Sequence, residues 1–176
     1  MSNLHLKKSL GQHFLKDESV LQKIADAIGD LSPYKTVVEI GPGMGALTKY
    51  LLPQKHPAFY VVELDDRWAE HLGHAHPALR GKIIHQDFLT TDLSFLELPT
   101  HIVGNFPYNI SSQIVFRIID ERDKVEMMTG MFQKEVALRI AAKHGNKDYG
   151  VTSVLTQTYY DCNYLFDVQP EAFDPP

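Results

Sequence analysis

A chain of 176 residues, 44% hydrophobic and 22% charged, is long enough to bury one substantial core and has the balance of an ordinary globular domain. Its single cysteine, Cys162, excludes an internal disulfide and a cysteine-based zinc site and is expected to be a reduced structural thiol. No stretch is apolar for long enough to span a bilayer, and the lysine-bearing N-terminus lacks the apolar run of a signal peptide, so a cytoplasmic location without a membrane partner is expected. The net charge of −5 runs against nucleic-acid binding, which draws on Lys and Arg, yet the bases are clustered. Lys7, Lys8 and Lys16 lie near the start, and Lys134, Arg139, Lys143 and Lys147 follow one another late in the chain.

Residues 1–17 read as a basic arm. Asp17 then reads as the N-cap of a helix over Glu18 to Ile28, where Val20, Leu21, Ile24 and Ile28 recur at helical spacing. Short β-rich runs at Thr36–Ile40, Ala58–Leu64, Lys82–His85, His101–Gly104 and Val125–Phe132 alternate with helix-length segments at Ala46–Leu52, Asp66–His74, Ser111–Asp120 and Gln133–His144. Strand followed by helix, repeated this often, predicts an α/β fold with a mostly parallel sheet covered on both faces. There are no internal repeats or low-complexity tracts, so residues 1–176 are expected to form one domain. Ligands of such sheets sit at the carboxyl ends of the strands, where the distinctive strings of this chain fall.

The first string, Glu39-Ile40-Gly41-Pro42-Gly43-Met44-Gly45, closes one strand and opens a helix. Its glycines let backbone approach a ligand closely, and the helix that follows presents free N–H groups. The spacing G-x-G-x-G differs from the G-x-G-x-x-G dinucleotide fingerprint and favours a nucleoside without a pyrophosphate. Glu63 ends the next strand, 22 positions after Gly41, where a carboxylate accepts bonds from both ribose hydroxyls. Asp87 follows the third strand in His85-Gln86-Asp87-Phe88, placed to accept from the amino group of an adenine while Phe88 packs on its face. Taken singly, each acid is more often a cap or a surface charge; together they mark three successive strand ends.

The fourth strand runs into Asn105-Phe106-Pro107-Tyr108. An exocyclic aromatic amine is a poor nucleophile because its lone pair is delocalised into the ring. The Asn105 side-chain oxygen and the backbone carbonyl of Phe106 or Pro107 can each accept one of its N–H groups and aim the lone pair at an electrophile. Proline fixes its own φ and holds neighbouring carbonyls in place, and Tyr108 offers a stacking face worth roughly 1 to 3 kcal/mol per base. The string alone also reads as a strand-ending turn followed by a core tyrosine. Its chemical reading is methyl transfer to nitrogen.

Five segments together carry a family resemblance: Lys8 to Leu15 (KSLGQHFL), Val37 to Thr48 (VVEIGPGMGALT), Asn105 to Ser111 (NFPYNIS), Met131 to Ile140 (MFQKEVALRI) and Ala172 to Pro176 (AFDPP). In this order, over essentially the whole chain, they resemble the KsgA-type ribosomal RNA adenine dimethyltransferases. The resemblance implies a Rossmann-like class I methyltransferase that uses S-adenosylmethionine, releases S-adenosylhomocysteine and requires no metal. Its expected substrate is a pair of adjacent adenines near the 3′ end of small-subunit rRNA, presented on a 30S-type particle to a monomeric enzyme and converted to dimethyladenosines. It also implies that His13, Leu15, Gly41, Gly43, Glu63, Asp87, Phe88 and Asn105 line the cofactor pocket. Asn105, Pro107, Tyr108 and Phe173 would act on the target base, which Tyr108 and Phe173 hold. Two positions depart from the family pattern: His13 stands where asparagine is usual and Phe106 where leucine is usual. Family members also continue beyond the AFDPP segment with a further strand and a small helical domain, so a catalytic-domain portion is expected here. The loop chemistry alone also fits a DNA-adenine or protein-glutamine methyltransferase, and the fold also fits a non-catalytic RNA-binding assembly or transcription factor.

Overall fold

The computed structural model describes residues 14–56 and 58–174. In chain order the elements are β1 (Phe14–Leu15), α1 (Glu18–Ile28), β2 (Thr36–Ile40), α2 (Thr48–Leu51), β3 (Ala58–Glu63), α3 (Asp66–Ala75), β4 (Ile83–His85), β5 (Thr100–Asn105), α4 (Ser111–Asp120), β6 (Met127–Met131), α5 (Lys134–Ala141), α6 (Val151–Gln157) and β7 (Phe173–Asp174). Five strands form a sheet in the order β4-β3-β2-β5-β6, with every neighbouring pair parallel. The chain steps outward from β2 to β4, then returns to the other side of β2 with β5. That reversal leaves a crevice at the carboxyl ends of β2 and β5.

Every residue of β2 is buried, as a central parallel strand covered on both faces requires. Alternation sends Val37 to one face, against Leu21, Leu51 and Leu72 of the first three helices, and Val38 to the other, against Ile114 and Ile118 of α4. Asp17 caps α1 as expected, accepting from the backbone N–H groups of Ser19 at 2.9 Å and Val20 at 3.3 Å. The arm ends in β1, which pairs antiparallel with β7 and so brings Leu15 beside Phe173, 158 positions later in the chain (173 − 15). Neither strand was expected from sequence.

Two late elements differ from expectation. Helix α5 stops at Ala141, because Ala142 turns to extended backbone, and not at His144. Helix α6 was not anticipated at all, and its packing explains why: Ser153 and Thr156 are its buried residues, while Val151, Val154 and Leu155 face outward. The apolar spacing therefore points away from the core. Polar bonds hold the helix instead, with the Ser153 hydroxyl donating to the Arg139 carbonyl and Gln157 Nε2 donating to the carbonyls of Ile140 and Ala142 at 2.8 and 2.9 Å.

His101, in the middle of β5, is 1% exposed; its Nε2 lies 3.0 Å from the Thr129 hydroxyl, and its ring rests 4.7 Å from that of Tyr34. Burial holds its pKa down to about 4, from an ordinary 6.5. As pH falls below 6.5 the unfolded chain takes up a proton that the folded chain refuses, so this residue's contribution to stability declines until about pH 4. Urea unfolding should show up to about 3 kcal/mol of that decline between pH 7 and 4 assigned to His101. A His101→Gln variant should lack it, and an unchanged pH slope in that variant would refute the assignment.

Candidate active site

A cavity of about 290 Å³ opens at the carboxyl ends of β2, β3 and β5. Four loops build its wall, each leaving the sheet at the strand end that the sequence marked. The glycine turn after β2 depends on positive φ at Gly41 (63°), Gly43 (54°) and Gly45 (83°), which side-chain-bearing residues rarely adopt. A Cβ on Gly43 would lie 2.9 Å from the Phe14 ring, and that ring meets Trp68 edge-on at 5.2 Å. Phe14 thus closes down onto the glycine turn. A Cβ on Gly41 would lie 3.4 Å from Pro107, so the turn also packs against the loop after β5.

Glu63, at the end of β3, is 6% exposed. Its Oε2 accepts from the Gly43 N–H at 3.0 Å and its Oε1 from the Asp65 N–H at 2.9 Å. Burial raises its pKa, and the two backbone N–H groups pull it back. The carboxylate therefore joins two loops and also lines the cavity. Asp65 in turn holds Arg67 at 2.6 Å. Beyond β4, Asp87 Oδ1 accepts from the Leu89 N–H at 2.9 Å, and its carbonyl accepts from the Thr91 hydroxyl at 2.7 Å, which pins the loop that carries buried Phe88.

The structure brings Leu15, Gly41, Gly43, Glu63, Asp87, Phe88, Asn105, Pro107 and Tyr108 to this one cavity. Burial raises the pKa of the Tyr108 phenol, which keeps it neutral. Phe173 does not line this cavity; with Tyr108 it lines an adjoining one of about 620 Å³, bounded by β6 and residues 160–168. His13 lies outside the described residues.

Sequence reasoning missed Glu39 as a site residue in its own right. It is 1% exposed, lines the cavity and accepts from the Thr48 hydroxyl at 2.7 Å. Burial pushes its pKa up to about 7; the Thr48 bond lowers it and the charge of Glu63 raises it further. The signal was present: a single acid in the otherwise apolar run Val37-Val38-Glu39-Ile40, directly before the glycine turn. Leu64 and Met44, exposed apolar residues on the rim, were missed as well. Among the described residues no group of three or more His, Cys, Asp or Glu could hold a metal ion.

The sequence profile of the ribosomal RNA adenine dimethylase family matches residues 3–176. The chain is 52% identical over 178 residues to ribosomal RNA small subunit methyltransferase A of Flavobacterium johnsoniae, covering 100% of this chain and 67% of that protein. It is 49% identical over 177 residues to the protein of the same name from Cytophaga hutchinsonii, covering 100% and 69%. A dimethyladenosine transferase from Plasmodium falciparum superposes with a TM-score of 0.79 at 28% identity, over 93% of this chain and 58% of that one. The chain thus spans about two thirds of the length of these bacterial relatives and less of the solved structure. The chain belongs to the ribosomal RNA adenine dimethylase family.

Proposed function

We propose that this chain transfers methyl groups from S-adenosylmethionine to the exocyclic N6 of two adjacent adenines near the 3′ end of small-subunit rRNA, giving dimethyladenosines. The observation that carries this reading is the convergence of Glu63, Asp87 and Asn105, from three strand ends, on one cavity. The donor set fits a charged nucleoside: carboxylates at two depths, a backbone turn without side chains, and apolar surface from Phe88, Leu64 and Met44. When bound, S-adenosylmethionine supplies the electrophilic methyl group, so the protein's work is positioning and charge placement.

In this reading Glu63 holds the ribose hydroxyls with the lone pairs that its two backbone partners leave over, and Asp87 accepts from the cofactor's amino group. Phe88 and Leu64 flank the purine. The Asn105 side chain and a carbonyl of Phe106 or Pro107 accept the two N–H groups of the target adenine and turn its lone pair toward the cavity. Extruding that adenine from its stack costs a few kcal/mol, which stacking on Tyr108 offsets at roughly 1 to 3 kcal/mol. Phe173 bounds the adjoining space on which Tyr108 also opens, a position suited to the outer face of the base. No strong base is required: the methyl–sulfur bond breaks as the new N–C bond forms, and the cationic nitrogen that results is acidic enough to pass its proton to water afterwards. We assign residues 1–176 to one catalytic domain acting on small-subunit rRNA within a pre-ribosomal particle in the cytoplasm. Among the described residues no helix is long and apolar enough to cross a membrane.

Removing an acceptor used only as charge develops on the nucleophile should lower turnover on the order of 100- to 1000-fold. Asn105→Ala should show that loss in tritiated-methyl incorporation into small-subunit particles, while calorimetry gives an S-adenosylmethionine Kd within about threefold of the unsubstituted value. Normal turnover would remove Asn105 from its role. Glu63→Gln should act on binding instead: loss of a charge-assisted bond, about 1.5 to 3 kcal/mol, weakens S-adenosylmethionine by roughly ten- to a hundredfold. At 100 times its Kd the cofactor stabilises the unsubstituted fold by about 2.7 kcal/mol. The same concentration should raise the melting temperature of Glu63→Gln far less, and an equal rise in both proteins would contradict the assignment.

A further inference from the structure

Phe106 is 1% exposed, although it lies in the middle of the acceptor loop. Its side chain packs into the cluster formed by Val38, Ile40, Ile102, Ile114 and Ile118, and meets the Phe132 ring at 5.0 Å and 60°. The seat of the ring is made by glycines. Gly104 and Gly130 pair in register on β5 and β6. A Cβ on Gly130 would fall 2.0 Å from Phe106 Cε2, 2.6 Å from Cδ2 and 2.7 Å from Cζ, inside the volume that the ring now fills. A Cβ on Gly104 would fall 3.2 Å from Cε1 of the same ring and 2.6 Å from the Ile40 carbonyl oxygen. Gly130 has no positive φ, so its backbone admits alanine, and the atoms that a Cβ would meet first are those of the ring.

We infer that Phe106 is a positioning residue, and that its ring, seated on Gly130, sets where Asn105 and Pro107 present their acceptors. The inference rests on the methyl-transfer reading of the site and names what fixes its geometry. The Phe106 N–H donates to the Met131 carbonyl at 3.2 Å, extending the β5–β6 pairing one residue past Asn105. Pro107 follows at φ −56°, and a residue before proline is itself held to extended backbone. With both neighbouring torsions restricted, the chain has little freedom to absorb a displaced ring locally. A ring lifted from Gly130 therefore carries Asn105 and Pro107 with it. Misplacement by about 1 Å costs on the order of 100-fold in rate, a loss that appears in turnover and not in cofactor affinity.

The test is a double-mutant cycle on the full chain. Gly130→Ala should lower kcat on small-subunit particles on the order of 100-fold while the S-adenosylmethionine Kd stays within about threefold. Phe106→Leu, which vacates the seat without a clash, should lower kcat only roughly fivefold. The double variant should match Phe106→Leu, because leucine leaves room for the new methyl group, and so regain at least about tenfold over Gly130→Ala. The side-chain amide resonance of Asn105 should move in Gly130→Ala and return in the double variant, whether or not the unsubstituted chain transfers methyl groups. Unsubstituted protein that binds S-adenosylmethionine but methylates nothing would therefore refute the methyl-transfer reading alone. Full turnover in Gly130→Ala or in Phe106→Leu would overturn the positioning role. So would losses that simply multiply in the double variant, or an Asn105 resonance that never moves. If Gly130→Ala does not fold, the double variant must fold and match Phe106→Leu; its failure to do so overturns the inference equally.

Discussion

The arrangement of the site depends on one buried carboxylate. By accepting backbone N–H groups from Gly43 and Asp65, Glu63 clamps the turn after β2 to the turn after β3. The turn is also tied to β3 by the Gly41 N–H, which donates to the Val62 carbonyl at 2.9 Å, and the ring of Phe14 lies over it. With the Glu63 clamp, the ends of two parallel strands share one electrostatic anchor, and a third loop joins them through the packing of Pro107 on Gly41. A buried charge is costly unless it is bonded, and here the bonds that satisfy it are those that shape the cavity. In the proposed reading, conformation and ligand chemistry are properties of the same two oxygens.

Most of this frame was legible in sequence because the signals were local. Thr36–Ile40, Glu18–Ile28 and Ser111–Asp120 carry their own periodicity, and their observed bounds match the expected ones. The strand ends announced themselves through Gly41, Glu63, Asp87 and Asn105, since a parallel sheet places every strand's carboxyl end on one edge. Long-range facts had no such signal. The pairing of Leu15 with Phe173 joins the two ends of the described chain, and two-residue strands have no periodicity to read. Helix α6 was missed for a different reason: it buries Ser153 and Thr156 and exposes its valines, which inverts the pattern on which such readings rely.

The acceptor loop shows where sequence reasoning stops and packing begins. Asn105, Pro107 and Tyr108 are identifiable by chemistry, because an amide, a fixed φ and an aromatic face are properties of single residues. Phe106 looks like a spacer. Its importance appears only when Gly104 and Gly130 are seen side by side on adjacent strands, 26 positions apart (130 − 104), opening a flat seat for a ring. Neither glycine stands out in sequence; Gly130 lies in the strand run Met127–Met131 and reads as a weak β-former.

Glu39 adds an electrostatic argument to the proposed chemistry. Its carboxyl, buried beside the glycine turn, has its pKa pushed up to about 7, partly by the charge of Glu63. The charge of Glu63 disfavours ionisation of Glu39, as that of Asp65 does for Glu63. A cationic ligand placed between Glu39 and Glu63 would favour both ionised forms, and by reciprocity the ionised acids would favour the cation. A neutral ligand of the same shape gains nothing from this pair. In the proposed reaction the positive charge leaves with the methyl group, so this pair would favour the sulfonium cofactor over its demethylated product.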